Sequence, residues 1–172
     1  MKIELPLSNE KIKGLRAGDR VLLCGKIITG RDAAHKRLYE CFINNKPLPV
    51  DILNQVIYYV GACPPKKGKV CGSCGPTTSM RMDSFTPLLL EKGLLGMIGK
   101  GDRNQPVYDA IKKYGAVYFA AIGGAGALYS ECVTGIKTLA YEDLGTESIL
   151  EMEINNFPVI VAIDSLGNSI FK

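Results

Sequence analysis

Apolar positions along the chain fall into short blocks with two different periods. Residues 19–28 (DRVLLCGKII) are dense in Val, Leu and Ile and are closed by Gly30, which predicts a strand. From residue 31 to residue 44 the spacing changes. Ala34, Leu38, Cys41 and Phe42 recur at i, i+4, i+7 and i+8, the apolar stripe of a helix. Pro47 and Pro49 break the pattern, and residues 56–60 (VIYYV) predict a second strand. Residues 61–76 hold four glycines and three prolines, a long irregular segment of the kind that is often functional. A helical turn is predicted after Thr77-Thr78. A helix should follow from Thr86 to Gly93, with Pro87 at its first position, where a missing N–H costs nothing.

The second half alternates. Strands are predicted over residues 94–98, 116–122, 136–141 and 159–164. Between the first two lies a helix over residues 106–114, with Val107, Ala110, Ile111 and Tyr114 on one face and Gly115 as its stop. Gly123-Gly124-Ala125-Gly126 is a turn into another helix, and Gly167-Asn168 predicts a closing hairpin. Residues 7–15 make one or two helical turns. Strands alternating with helices imply an α/β fold with a substantially parallel sheet, and the strand-rich ends imply a mixed or second sheet. At 172 residues with no internal repeat, one domain over residues 1–172 is expected.

Composition narrows the function classes. Apolar residues are 47% and charged residues 22%, enough for a packed core and unlike a disordered chain. The net charge of +4 is mild, and Lys66-Lys67-Gly68-Lys69 is the one short basic run, so no nucleic-acid partner is expected. No apolar block follows a basic stretch at the start, and the apolar residues 116–127 are too few and too glycine-rich to span a bilayer. A cytoplasmic chain with no membrane partner is expected. In that setting six cysteines are reduced, buried or metal-bound rather than disulfide-linked.

The glycine-rich turns do not match nucleotide motifs. Gly99-Lys100 is followed by Gly101, and position 94 is Leu, so a P-loop fails twice; Gly124-Ala125-Gly126 lacks a third glycine because position 129 is Tyr. Cys71-Gly72-Ser73-Cys74 is a true Cys-x-x-Cys. With Cys63 it offers three thiols near one loop, open to reading as unligated loop cysteines, a metal or iron–sulfur site, or a redox pair. A four-ligand zinc site is short of ligands, since His35 is the only histidine. Cys24, Cys41 and Cys132 sit within apolar patterns as small core residues.

Three cations stand where structure alone would not put them. Arg31 opens a helix after Thr29-Gly30, and Arg81 lies in the first turn after Gly75-Pro76-Thr77-Thr78. A helix start disfavours positive charge by a few tenths to about 1 kcal/mol, a cost that a bound anion reverses. Lys100 ends a strand between Gly99 and Gly101, which admit an anion close to the backbone. Surface pairing with Asp32, Asp83 and Asp102 is the alternative. A dicarboxylate needs two separated cationic clamps, and arginine's planar fork grips carboxylate at two points.

Four segments carry a resemblance: Gly30-Arg31-Asp32-Ala33-Ala34-His35-Lys36-Arg37, Gly75-Pro76-Thr77-Thr78-Ser79-Met80-Arg81-Met82-Asp83, Ile98-Gly99-Lys100-Gly101 and Gly123-Gly124-Ala125-Gly126-Ala127-Leu128. Together with residues 156–165 they resemble the β subunit of class I fumarate hydratase, and also the related β subunit of L-tartrate dehydratase. The resemblance implies a swivelling β/β/α domain and a hydro-lyase acting on a small dicarboxylate such as malate or fumarate. It implies a 4Fe–4S cluster held by a separate α subunit and not by this chain, in a heteromer of α2β2 type. Arg31, Thr78, Arg81 and Lys100 would bind substrate, and Thr77 and Lys100 would be catalytic, Thr77 in proton transfer. Cys71 and Cys74 are not part of that pattern. A threonine hydroxyl is a weak base without an activating neighbour, so helix capping by Thr77 and Thr78 remains the alternative. His35, one turn into its helix, either orients Arg31 or a partner interface, or is a satisfied structural residue.

Overall fold

The computed structural model describes residues 1–172. In chain order it contains β1 (Lys2–Glu4), α1 (Asn9–Lys13), β2 (Arg20–Thr29), α2 (Asp32–Ile43), β3 (Val56–Tyr58), a 3₁₀ turn (Ser79–Met82), α3 (Thr86–Glu91) and β4 (Gly96–Gly99). Then come α4 (Gln105–Tyr114), β5 (Val117–Ala120), α5 (Gly126–Glu131), β6 (Val133–Ala140), a second 3₁₀ segment (Glu142–Glu147) and β7 (Ile149–Ile163). Local chemistry explains the boundaries. The Asn104 side chain caps α4 by accepting from the Val107 N–H, a proline sits in the first turn, and Gly115 ends the helix at φ 67°.

All seven strands form one mixed sheet in the order β1-β2-β3-β4-β5-β7-β6. Neighbours from β1 to β5 pair in parallel, whereas β7 runs antiparallel to β5, β6 and β2. Because β7 bonds to both β5 and β2, the strands β2, β3, β4, β5 and β7 close into a ring. The α/β class with a mixed sheet is therefore as expected, but there is no separate second sheet.

Two cores follow from strand alternation. Val56, Tyr58 and Val60 point into the ring with Phe119, Phe157 and Val161; Ile57, Tyr59 and Tyr118 point out against Leu38, Leu89 and Ile111 of the helices. Strands buried on both faces read as continuous apolar runs, which is why residues 56–60 and 116–121 were legible. Other boundaries differ from expectation. The strand expected at residues 159–164 is the end of the 15-residue β7. That at residues 136–141 starts back at Val133, and the one at 94–98 lies at Gly96–Gly99. Asn156 at φ 51°, with Asn155 beside it and Pro158 after, hides the middle of β7 from a propensity reading.

Candidate functional site

The parallel strands end level with one another. Thr29 pairs with Tyr58, Tyr58 with Ile98 and Ile98 with Phe119. The expected site residues stand just beyond this line, at the carboxyl ends of the parallel strands, where ligands of α/β sheets commonly bind. Arg31 follows β2 and Lys100 follows β4. After the irregular segment the chain returns to the same edge. The Thr77 N–H donates to the Tyr59 carbonyl (2.8 Å), and the Lys100 N–H donates to that of Thr77 (3.3 Å). Thr78 forms an isolated parallel bridge with Lys100, whose carbonyl accepts from the Ser79 N–H (2.9 Å). Thr77, Thr78 and Lys100 are thus stitched together through the main chain.

Arg31 takes the N-cap position of α2 with an extended backbone and makes no side-chain cap bond. The first N–H groups of α2 have no intrahelical acceptor and remain donors beside it. The Arg31 side chain lies across Gly61, where a Cβ would come within 2.8 Å of Nη1, so that glycine is what gives the guanidinium room. Its Nε is 3.7 Å from Glu147 Oε1. Arg81 donates from Nε to Asp32 Oδ1 (3.0 Å), and its Nη2 stands 3.0 Å from Oδ2 as an ion-pair contact without a hydrogen bond. The expected surface partners are therefore rearranged. Asp32 serves Arg81 rather than Arg31. Asp83 is buried against Arg103, and Asp102 accepts from the Tyr108 hydroxyl (2.6 Å). Lys100 forms no ion pair, and its Cδ runs 3.5 Å from where a Cβ on Gly123 would stand.

Asp32, Lys36, Arg81, Phe85 and Glu147 line a cleft of about 450 Å³. Thr77, Thr78 and Lys100 are not among its walls, so the cations share one edge of the sheet but not one concave wall. Neither the Thr77 nor the Thr78 hydroxyl bonds within the chain. Thr78 holds the cap position of the 3₁₀ turn without a side-chain cap bond, so the capping role is performed by neither. Thr77 is half-buried and Thr78 exposed, leaving both hydroxyls available at the edge.

Behind this edge, His35 is fully buried. Its backbone N–H (2.9 Å) and its ring Nδ1 (2.8 Å) both meet the Arg31 carbonyl. A carbonyl only accepts, so Nδ1 carries the proton and Nε2 is a buried acceptor with no partner. Burial, reinforced by the Arg103 charge, lowers the ring from the usual 6.5 to about 4. His35 therefore touches the main chain of Arg31 and not its guanidinium.

Cys71 and Cys74 are unligated loop cysteines, as one of the three readings had it, and they are also buried. Cys71 and Cys74 are core residues at 3% and 0% exposure, and only Cys63 is exposed. Cys24 is in the core as expected, whereas Cys41 and Cys132 are only half-buried. All six thiols are free. Burial pushes the Cys71 and Cys74 thiols up, away from the thiolate that a metal or a redox partner requires. No three His, Cys, Asp or Glu side chains converge as metal ligands. The thiols present do not fit an iron–sulfur cluster.

Compared with known proteins, the chain is 39% identical over 155 residues to "Fumarate hydratase class I, aerobic" of Escherichia coli K12, a match covering 89% of this chain and 28% of that protein. It is 41% identical to the anaerobic class I enzyme of the same organism, with the same coverage. The chain thus spans about 28% of the length of these fumarate hydratases. It is 38% identical over 172 residues to "Putative L(+)-tartrate dehydratase subunit beta" of Methanocaldococcus jannaschii, covering 96% of this chain and 88% of that one. The Fumarase C-terminus model matches residues 1–172, and the chain belongs to that family.

Proposed function

We propose that this chain is the β subunit of an iron–sulfur-dependent hydro-lyase that interconverts (S)-malate and fumarate, active only when an α subunit completes its site. The observation that carries the reading is the placement at one sheet edge of three cationic residues and two unbonded threonine hydroxyls, brought there by three separate segments: Arg31 after β2, Thr77, Thr78 and Arg81 before α3, and Lys100 after β4. The end-to-end match to a free-standing β subunit supports the two-chain organisation. A cytoplasmic α2β2 heteromer and a swivelling single domain belong to the same proposal. No helix is long and apolar enough to cross a membrane.

The chemistry assigns roles. Dehydration removes a proton from the carbon beside one carboxylate, and negative charge builds on that carboxylate. Arg31 and Arg81, with the α2 N–H groups, grip the substrate carboxylates. Preorganised cations stabilise developing charge by about 3–4 kcal/mol per donor in comparable sites. Lys100 is the cation with no carboxylate of its own, so its full charge is available to a substrate oxygen or to a Thr77 alkoxide. Thr77 takes the proton as an alkoxide, its own hydroxyl proton having passed to solvent with Lys100 stabilising the charge, and returns to the neutral hydroxyl; Thr78 orients the substrate. Glu147 and Asp32 hold the two arginines until the dicarboxylate displaces them. The 4Fe–4S cluster we assign to the α subunit, because Cys71 and Cys74 are buried and no three potential ligands of this chain converge.

Dehydration of tartrate is the second reading. It uses the same clamp and is favoured by the name of the Methanocaldococcus relative. The test is to reconstitute the chain with its cognate α subunit and follow fumarate absorbance from malate and oxaloacetate from tartrate. Turnover of malate only with both chains present is expected. Exclusive turnover of tartrate moves the assignment to the second reading, and full activity of this chain alone refutes the shared site. A Cys-x-x-Cys redox module is disfavoured by the burial of Cys71 and Cys74.

A further inference from the structure

Arg103 lies one residue past Asp102 in the loop after β4, and its side chain is 0% exposed. It donates from Nε to Asp83 Oδ1 (2.6 Å) and from Nη2 to Thr86 Oγ1 (2.8 Å) and the Tyr59 hydroxyl (3.3 Å). The Tyr118 and Tyr59 rings flank the guanidinium at 4.9 and 5.3 Å. The Tyr118 hydroxyl donates to the Gly101 carbonyl (2.8 Å) and meets Ser79 Oγ at 2.8 Å. A hydroxyl has one proton, so Ser79 donates to Tyr118. Of the partners, Thr86 opens α3 and Met97, whose Sδ accepts from Nη1 at 3.6 Å, lies in β4; the others adjoin the sheet edge. Ser79 and Asp83 bracket Arg81, Gly101 follows Lys100, and Tyr59 accepts the Thr77 N–H.

A buried ion pair contributes little net stability, because desolvation offsets the attraction; an apolar cluster of similar volume would hold the fold as well or better. Stability is thus a poor reason for an arginine here. Geometry is a better one. Residues 77–83, apart from the 3₁₀ turn Ser79–Met82, and residues 100–103 lie outside helices and strands, yet each segment is bonded to one rigid centre. The fit is tight as well, since a Cβ on Gly99 would overlap Ser79 Oγ.

Resting on the hydro-lyase reading for its consequence, we propose that Arg103 is a positioning residue. With the Tyr118 hydroxyl it locks the Thr77, Thr78 and Arg81 segment to the Lys100 segment, so that the proton-transfer group and two of the three cations share one fixed frame. It touches no substrate. Its effect on turnover passes through the placement of Thr77, Arg81 and Lys100. Misplacement of about 1 Å in such a constellation costs on the order of 100-fold.

The test uses the full chain alone and reconstituted with its α subunit, in the parent form and as Tyr118→Phe and Arg103→Lys. Tyr118→Phe removes one oxygen and keeps the ring, so it folds even where Arg103→Lys does not. In the chain alone, amide exchange is read at Ser79 and Lys100, whose N–H groups cross-link the two segments, against amides of the β2–β7 ladder. Faster exchange, by about tenfold or more, is expected at Ser79 and Lys100 only, with a 10- to 100-fold fall in kcat/KM in the heteromer. Uniformly faster exchange with a lowered melting temperature and normal turnover would mean a merely structural contact, and so would unchanged exchange at the two amides; either result overturns the proposal. If the parent heteromer converts neither malate nor tartrate, the hydro-lyase reading falls, and the exchange pattern decides by itself whether Arg103 and Tyr118 order the two segments.

Discussion

Between about pH 6.5 and 4 a single imidazole destabilises this fold. His35 is buried, protonated at Nδ1 toward the Arg31 carbonyl and unpartnered at Nε2. Charging it would place a cation in an apolar pocket near Arg103. In the unfolded chain the ring takes up its proton as pH falls through 6.5, whereas in the fold it does so only near 4. Uptake by the unfolded state alone draws the equilibrium toward unfolding. The stability associated with the neutral ring is thus complete above pH 6.5, is lost progressively down to about pH 4, and is constant below. At about 1.4 kcal/mol for each tenfold change in proton affinity, the full loss is about 3 kcal/mol, with about 2 kcal/mol gone by pH 5. For a domain of this size that is a large share of the total. Because the chain has one histidine, a ¹⁵N-histidine NMR titration reports it without overlap. A midpoint near 4 with the proton on Nδ1 is expected, and denaturant midpoints compared with His35→Gln should converge as pH falls from 6.5. A midpoint near 6.5, or a wild-type-minus-variant difference that stays flat with pH, refutes the reasoning.

Arg81→Met should lower kcat/KM of the reconstituted heteromer by about 100-fold or more. Its melting temperature should move by only a few degrees, since a half-exposed pair with Asp32 contributes about 0–1 kcal/mol; normal turnover with a large loss of stability would make Arg81 structural. Thr77→Val should abolish turnover while Thr77→Ser retains part of it, and equal activity of the two variants counts against proton transfer by the hydroxyl. Gly99→Ala should destabilise by about 1–3 kcal/mol in urea unfolding, because the added methyl meets Ser79 and Tyr59; an unchanged midpoint would mean that Ser79 yields freely. Iron and sulfide analysis of the chain purified anaerobically by itself should find no stoichiometric cluster, and one cluster per chain would end the assignment of the iron to a partner.

How much of this was readable in advance depended on where each signal lay. Strands buried on both faces, such as β3 and β5, announce themselves as apolar runs, and α2 and α4 announce themselves by spacing and caps. β1 is three residues long and pairs only with β2, too short to carry a pattern. The three cations stood out beside glycines at element ends, whereas Thr77 and Thr78 entered through the family resemblance alone; the fold places all five residues along one edge. Their partners were not legible. Local proximity proposed Asp83 for Arg81, but the fold sends Asp83 inward to Arg103 and brings Asp32 from α2 across to Arg81. Pairing across about fifty positions has no sequence signal. The burial of Cys71 and Cys74 was hidden for a similar reason, since the glycines and prolines around them look like exposed loop.

The double attachment of β7 has a consequence for synthesis on the ribosome. β2, made within the first thirty residues, bonds along its whole free edge to residues 151–160. Until those residues emerge, that edge stays open and sticky, a template for pairing with other nascent chains. Contacts this distant in sequence also make for slow folding. A premature stop or a proteolytic nick anywhere in the final strand would therefore reach back some 130 positions, unseating β2 and with it the arginine at its tip.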